Sequence, residues 1–299
     1  MNGVSRSARW ARLAAPAIGI VGFLALWEGF VRWRDIRPFV LTAPSDIVRY
    51  LDRAPGDFLD ASLLTARHAL VGFVVALVAS VLLGALLSTS RFLERAVQPI
   101  LVLVQVAPFV AYISSIVLWL GYGDPPVHFV TAFVCLPAFT FATIAGMRSA
   151  DPASRELFAS VDASRWEVMW RLRLPSAMPS LFTTARYNTG LALIAAYLVE
   201  GSNFANAGLG ALGKRFASQN IGDALWATVF CMVVLGTLAL GLIGLLERWL
   251  LHWHASQRSI ARPPDGDARD GPVRPEPAGS AGAVAGGLVR QAQQQVEVD

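Results

Sequence analysis

Gly208-Leu-Gly-Ala-Leu-Gly-Lys214 is the stretch whose residue types come nearest to a reactive site. It satisfies G-x-G-x-x-G and most of G-x-x-x-x-G-K-[ST], patterns whose backbone amides cradle phosphates. Arg215 stands where the metal-binding hydroxyl is required, and no strand precedes the glycines, so the stretch reads as a flexible turn outside the membrane. Glu28 and Glu200 lie near the ends of apolar runs. An acid inside a membrane suggests a proton relay, but near an interface snorkelling or capping is the simpler role. His68, His128, His252 and His254 do not cluster in sequence, and the last two are two apart, a poor spacing for a helical metal site. Cys135 and Cys231 sit in apolar runs and act as small hydrophobes. No Ser/His/Asp set, carboxylate pair or metal set is visible, so the expectation is a non-enzyme without cofactor or metal.

The elements that would hold these residues are membrane helices. Of 299 residues, 55% are hydrophobic and only 15% charged, and the mean hydropathy is +0.50, which points to an integral membrane protein. The net charge of +4 is carried by arginine, since Lys214 is the one lysine; such an excess concerns topology and lipid headgroups before nucleic acid. Six apolar segments are expected to cross, at 13–31, 68–89, 97–120, 127–147, 181–201 and 224–247. Their backbone groups must be paired within each segment, so the fold is all-α. Pro99, Pro108 and Pro137 fall within spans and should bend them. Arg6, Arg9 and Arg12 before the first run resemble a signal peptide, but no small-residue cleavage site follows, so that run is read as an uncleaved span.

Arginine distribution places both termini in the cytoplasm, although Arg32, Arg34, Arg37, Arg49 and Arg53 in the first external loop oppose that orientation. The expected organisation is a cytoplasmic N-terminus at 1–12, a membrane domain at 13–255 and a disordered cytoplasmic tail at 256–299, rich in Pro, Gly, Ala and Gln.

Between the fourth and fifth spans lies a polar segment, about 151–180. Asp151-Pro152 is an N-cap followed by proline at the first helical position, and predicts a helix to about Val161. Ser164-Arg-Trp-Glu167 is a capping box that opens a second helix to about Leu172, stopped by Pro175. Asp162 is left at the corner, where a left-handed conformation is often required. Trp166, Met169 and Trp170 share one face, fit for a protein groove or for a membrane surface.

Glu156, the corner at 162 and Leu174-Pro175 resemble the EAA motif of ABC importer permeases, E-A-A-x-x-x-G, nine residues, then I-x-L-P. Leu157 and Phe158 replace the alanines, Asp162 the glycine and Leu172 the isoleucine. FVLTAPSDIV, VAPFVAYISSIVLWLGYG, ASRWEVMWRLRLPSAMPSLFTTAR and LERWLLHW are similar to the nitrate/sulfonate/taurine-type permeases over about 13–255. The resemblance implies an inner-membrane subunit, working as a dimer, that contacts two cytoplasmic ATPases through coupling helices. Glu156, Leu157, Phe158, Asp162, Ala163, Ser164, Trp166, Glu167, Leu174 and Pro175 would carry that contact.

It also implies a binding protein that delivers a small solute and meets the loop near Gly208. A sulfonate, taurine or nitrate is expected, with pyrimidine- or vitamin-type solutes as the alternative. A rival class is an ion-coupled secondary transporter using Glu28 or Glu200. Gln105, Asn188 and Tyr197 could line a polar route or bond helix to helix. Arg186 could reach headgroups or face the pathway.

Overall fold

The computed structural model describes residues 6–204 and 207–251. The tail expected from 256, with His252 and His254, lies outside the described residues. Among those described there is no strand, as the uninterrupted apolar runs require.

The helices are α1 (Arg6–Trp33), α2 (Pro44–Leu51), α3 (Pro55–Ser88), α4 (Arg91–Val106), α5 (Phe109–Leu120), α6 (Asp124–Arg148), α7 (Pro152–Ser160), α8 (Arg165–Val168), α9 (Leu174–Val199), α10 (Leu209–Ser218) and α11 (Gly222–Leu250). π-helical turns at Met169–Arg173 and Glu200–Phe204 flank α9. Residues 14–33 of α1, with α3, α6 and α11, are long and apolar enough to cross a membrane.

The expected third span is not one helix. α4 and α5 meet at a bend of 100° and make at most a broken fifth span. Pro108 lacks an amide and clashes with a continuing helix, and it drives Ala107 before it to extended backbone (φ −61°, ψ 129°). Pro99 and Pro137 stay inside continuous helices. The fifth expected span lies in α9, whose 26 residues reach about 39 Å. It is not among the helices apolar enough to cross by composition, and it buries Asn188 and Thr189 at its middle.

α3 and α6 run parallel and pack closely because their contact is built from small residues. A Cβ on Gly72 would lie 2.5 Å from Thr131 Cβ, and one on Gly84 2.6 Å from Thr143 Cβ. Ser80 Oγ donates to Leu136 O at 2.8 Å across the same interface. α9 runs antiparallel to both, and the core of Ala76, Cys135, Phe139, Ala192 and Ala196 lies among the three. Two functional faces follow from this order. One holds the ends of α3 and α6, with α7 and α8. The other holds the starts of α3 and α6, the end of α9, and α10.

Candidate functional site

On the first face, Asp151 caps α7 by accepting from Ser154 N at 3.1 Å. Its hydrogen bonds from the Ser154 hydroxyl and amide hold its carboxyl below the usual range. α7 closes in a Schellman turn: Ala163 N donates to Phe158 O at 3.0 Å and Asp162 N to Ala159 O at 3.2 Å. Asp162 takes the expected left-handed conformation, with φ +47°. Ser164 and Glu167 form the expected capping box. Glu167 N donates to Ser164 Oγ at 3.2 Å, and Ser164 N to Glu167 Oε2 at 3.1 Å. The Ser164 amide, with its hydroxyl, keeps the Glu167 carboxyl low.

Pro175 does not end this helix. The chain passes through the π-helical turn Met169–Arg173 and enters α9 without a break. The wider turn relieves the clash that proline makes with the preceding turn. It also splits the expected aromatic face, because Met169 turns toward the main core while Trp166 and Trp170 stay exposed. The two indoles meet edge to face at 5.3 Å. Leu157 and Val161 are exposed, as are Glu156 and Asp162, whereas Phe158, Ala163, Glu167, Leu174 and Pro175 are half-buried. Arg155 of α7 donates to the Arg148 carbonyl at the end of α6, and Arg148 forks onto Glu94 of α4. The helix pair is therefore fastened to the end of α6, which is itself tied to α4, and runs directly into α9.

The opposite face holds a buried polar network that sequence reasoning missed. Glu200 neither snorkels nor lies open: it is fully buried. Its carboxylate accepts from Thr65 Oγ1 and His68 Nδ1, both at 2.8 Å, and from Gly210 N at 3.0 Å. Leu209 N donates to Thr65 Oγ1 at 2.9 Å. The first amides of α10, which any helix leaves unpaired, are thus satisfied by a protein carboxylate and hydroxyl.

This overturns the flexible-turn reading of Gly208–Lys214. Gly208 has φ +100°, residues from Leu209 are helical, and a Cβ on Gly210 would lie 1.9 Å from Tyr197 O. The glycines permit close approach, and Glu200 fills the position a phosphate would take in a nucleotide loop. His68 and His128 do cluster, with ring centroids 5.3 Å apart and Asp124 beside them. Sixty residues separate the two histidines, and the parallel packing of α3 on α6 joins them. The available signal was Asp124 and His128 at i, i+4 on one helix face.

Glu28 behaves as a cap, accepting from Ser45 N at 3.0 Å at the start of α2 and from Arg32 Nε at 3.0 Å. It is engaged structurally, as Glu200 is.

The sequence pattern of the family described as "Binding-protein-dependent transport system inner membrane component" matches residues 73–252. The chain belongs to that family. It is 31% identical to the formylaminopyrimidine transport permease protein ThiX of Halalkalibacterium halodurans, over 81% of this chain and 96% of the relative. It is 33% identical to the riboflavin transport system permease protein RibX of Chloroflexus aurantiacus, over 83% and 92%. The taurine transport system permease protein TauC of Escherichia coli is 27% identical, over 84% and 95%. A chain of the MetNI methionine ABC transporter in inward-facing conformations shares the fold, with a TM-score of 0.53 at 14% identity, covering 62% of this chain and 94% of that one.

The protein is an ABC importer permease, which sets aside the secondary transporter. Within this permease, the polar residues singled out along the helices are dispersed. Asn188 is fully buried and donates from Nδ2 to Cys135 O at 3.0 Å, a helix-to-helix bond. Tyr197 Oη lies 3.3 Å from Thr228 Oγ1 of α11. Arg186 pairs with Glu247 of α11, where headgroups had been one expectation. Gln105 is exposed just before the α4–α5 bend.

Proposed function

We propose that this permease is driven by a cytoplasmic ATPase that grips the α7–α8 pair, and that it passes a small heterocyclic solute of the pyrimidine or flavin kind. The single observation that carries the coupling role is the rigid, doubly capped helix pair. It offers Trp166, Trp170, Leu157 and Val161 to the surroundings while being fastened to α6 and α9. A push on that pair moves two of the three central helices. Exposed aromatic and aliphatic side chains on capped helices suit a protein groove, and the adjoining arginines favour the cytoplasmic side. On this reading both termini are cytoplasmic, two copies form the pathway, and a binding protein delivers solute to the face carrying α10.

The solute reading rests on two relatives above 30% identity, whose names specify a formylaminopyrimidine and riboflavin. The taurine relative favours a second reading, a small sulfonate or similar anion. Pathway residues would come from α5, α6 and α9, with Gln105 at the α4–α5 bend and Tyr197 as candidates.

Purification in mild detergent with the ATPase and binding protein encoded beside it tests the coupling. Trp166→Asp is expected to release the ATPase and abolish ATP-dependent uptake, while the permease still elutes as a folded species. An ATPase that stays bound to that variant with unchanged hydrolysis would overturn the assignment of the docking face. Uptake of labelled formylaminopyrimidine, riboflavin and taurine into proteoliposomes then separates the two solute readings.

A further inference from the structure

We propose that His68, His128 and Asp124 form a binding site for a divalent transition-metal ion, with zinc the best match, on the face opposite the coupling helices. The site is separate from the α7–α8 pair, and the coupling role does not depend on it.

Each of the three residues offers one donor atom, and those atoms lie within 4.8 Å of one another. Two imidazoles and one carboxylate are the ligand set that zinc takes in open three-ligand sites. The donor atoms of a tetrahedral zinc stand about 3.4 Å apart for bond lengths near 2.1 Å. His68 Nε2 and Asp124 Oδ1 are already 3.2 Å apart. The remaining contraction falls to Asp124, whose side chain is about half exposed, and to the half-buried His128.

The second observation is what the histidines leave unused. His68 is 1% exposed, and its Nδ1 is spent on the Glu200 carboxylate at 2.8 Å. A carboxylate accepts, so Nδ1 carries the proton, and in the neutral ring Nε2 presents a lone pair. That Nε2 is buried without a hydrogen-bond partner, and so is His128 Nε2. The Asp124 oxygen near His68 lies close enough for a hydrogen bond but off its direction. His68 Nε2, next to the Asp124 oxygen, and His128 Nε2 are both buried without a hydrogen bond, which is costly, and a shared cation satisfies both.

Glu200 then supplies the outer contact typical of a metal-bound imidazole, a carboxylate that fixes the ring and its tautomer. Arg67 is the nearest cation, with Nη2 4.0 Å from Asp124 Oδ2, and it is exposed enough to swing aside. Ion entry is from the Asp124 side, where the site meets the surface.

An ion held there ties the start of α3 to the start of α6, and through Glu200 to α10. It would therefore brace the face at which the binding protein is placed above.

The test is cobalt and zinc titration of the full-length protein in detergent. It should carry a purification tag free of histidine and a His252→Asn, His254→Asn background that removes the two remaining histidines. The expected result is one ion per chain, with visible cobalt d–d bands that zinc displaces. Asp124→Ala and His128→Ala, both at accessible positions, are expected to abolish the bands. Glu200→Gln is expected to weaken binding about 10- to 100-fold. Absence of stoichiometric binding in folded protein overturns the site, as does binding that persists in both Asp124→Ala and His128→Ala. Binding present in the native chain but lost in the tail-substituted background also overturns it, since the ion would then belong to the tail.

Discussion

Glu200 is the residue on which the face opposite the α7–α8 pair is organised. It bridges α3 and α10 from the end of α9, and its carboxylate meets a hydroxyl, an imidazole and a backbone amide. Removing one partner of a buried charged network costs roughly 3–5 kcal/mol, because the groups left behind have no water to turn to. Glu200→Ala is therefore expected to lower the thermal midpoint in detergent sharply. Glu200→Gln should cost less, since its amide oxygen still accepts from Gly210 or Thr65. Equal midpoints for the two variants would show that the network contributes shape and not hydrogen bonding. Nothing in the residues around Glu200 announces these partners, because Thr65 and His68 lie more than 130 positions away.

The α7–α8 pair is the element whose form was most legible in advance. Its caps and corner join residues no more than five apart, so the information is local. Asp151, Ser164, Glu167 and Asp162 all do what their types predict. The corner supplies a test at this scale. Glycine takes φ near +47° without strain, whereas a β-branched residue there is strained by about 1–2 kcal/mol or more. Asp162→Gly should thus keep or slightly raise ATPase association, and Asp162→Val should weaken it without unfolding the spans. Retained association in Asp162→Val would mean that the corner geometry does not set the docking face. The π-helical turn was not legible. Pro175 signals a stop to any local reading, and only the need to carry α8 directly into a buried α9 explains why the helix widens and goes on.

Across the whole molecule, one face mounts α7 and α8 and the other gathers Glu200, the two histidines and α10. The 25 residues of α6 separate them by about 37 Å, so a signal between them travels along α6 and α9. The proposed orientation predicts that the faces label from opposite sides. In a background of Cys135→Ala and Cys231→Ala, an impermeant maleimide should reach Leu157→Cys only from the cytoplasm and Tyr122→Cys only from outside. Both positions are well exposed. Reversed labelling would remove the α7–α8 pair from any cytoplasmic ATPase.

The amino-acid sequence by itself determined the all-helical membrane class, most of the crossing segments, the capped helix pair and the left-handed corner. Those features depend on apolar run length and on hydrogen bonds between near neighbours. Tertiary structure alone decided that α4 and α5 meet at Pro108 with a bend of 100°, that Arg186 pairs with Glu247, and that the 208–214 glycines are a packing surface. It also brought His68, His128 and Asp124 together. Each of these depends on which helices lie side by side and in which direction, and local spacing along one helix does not encode that.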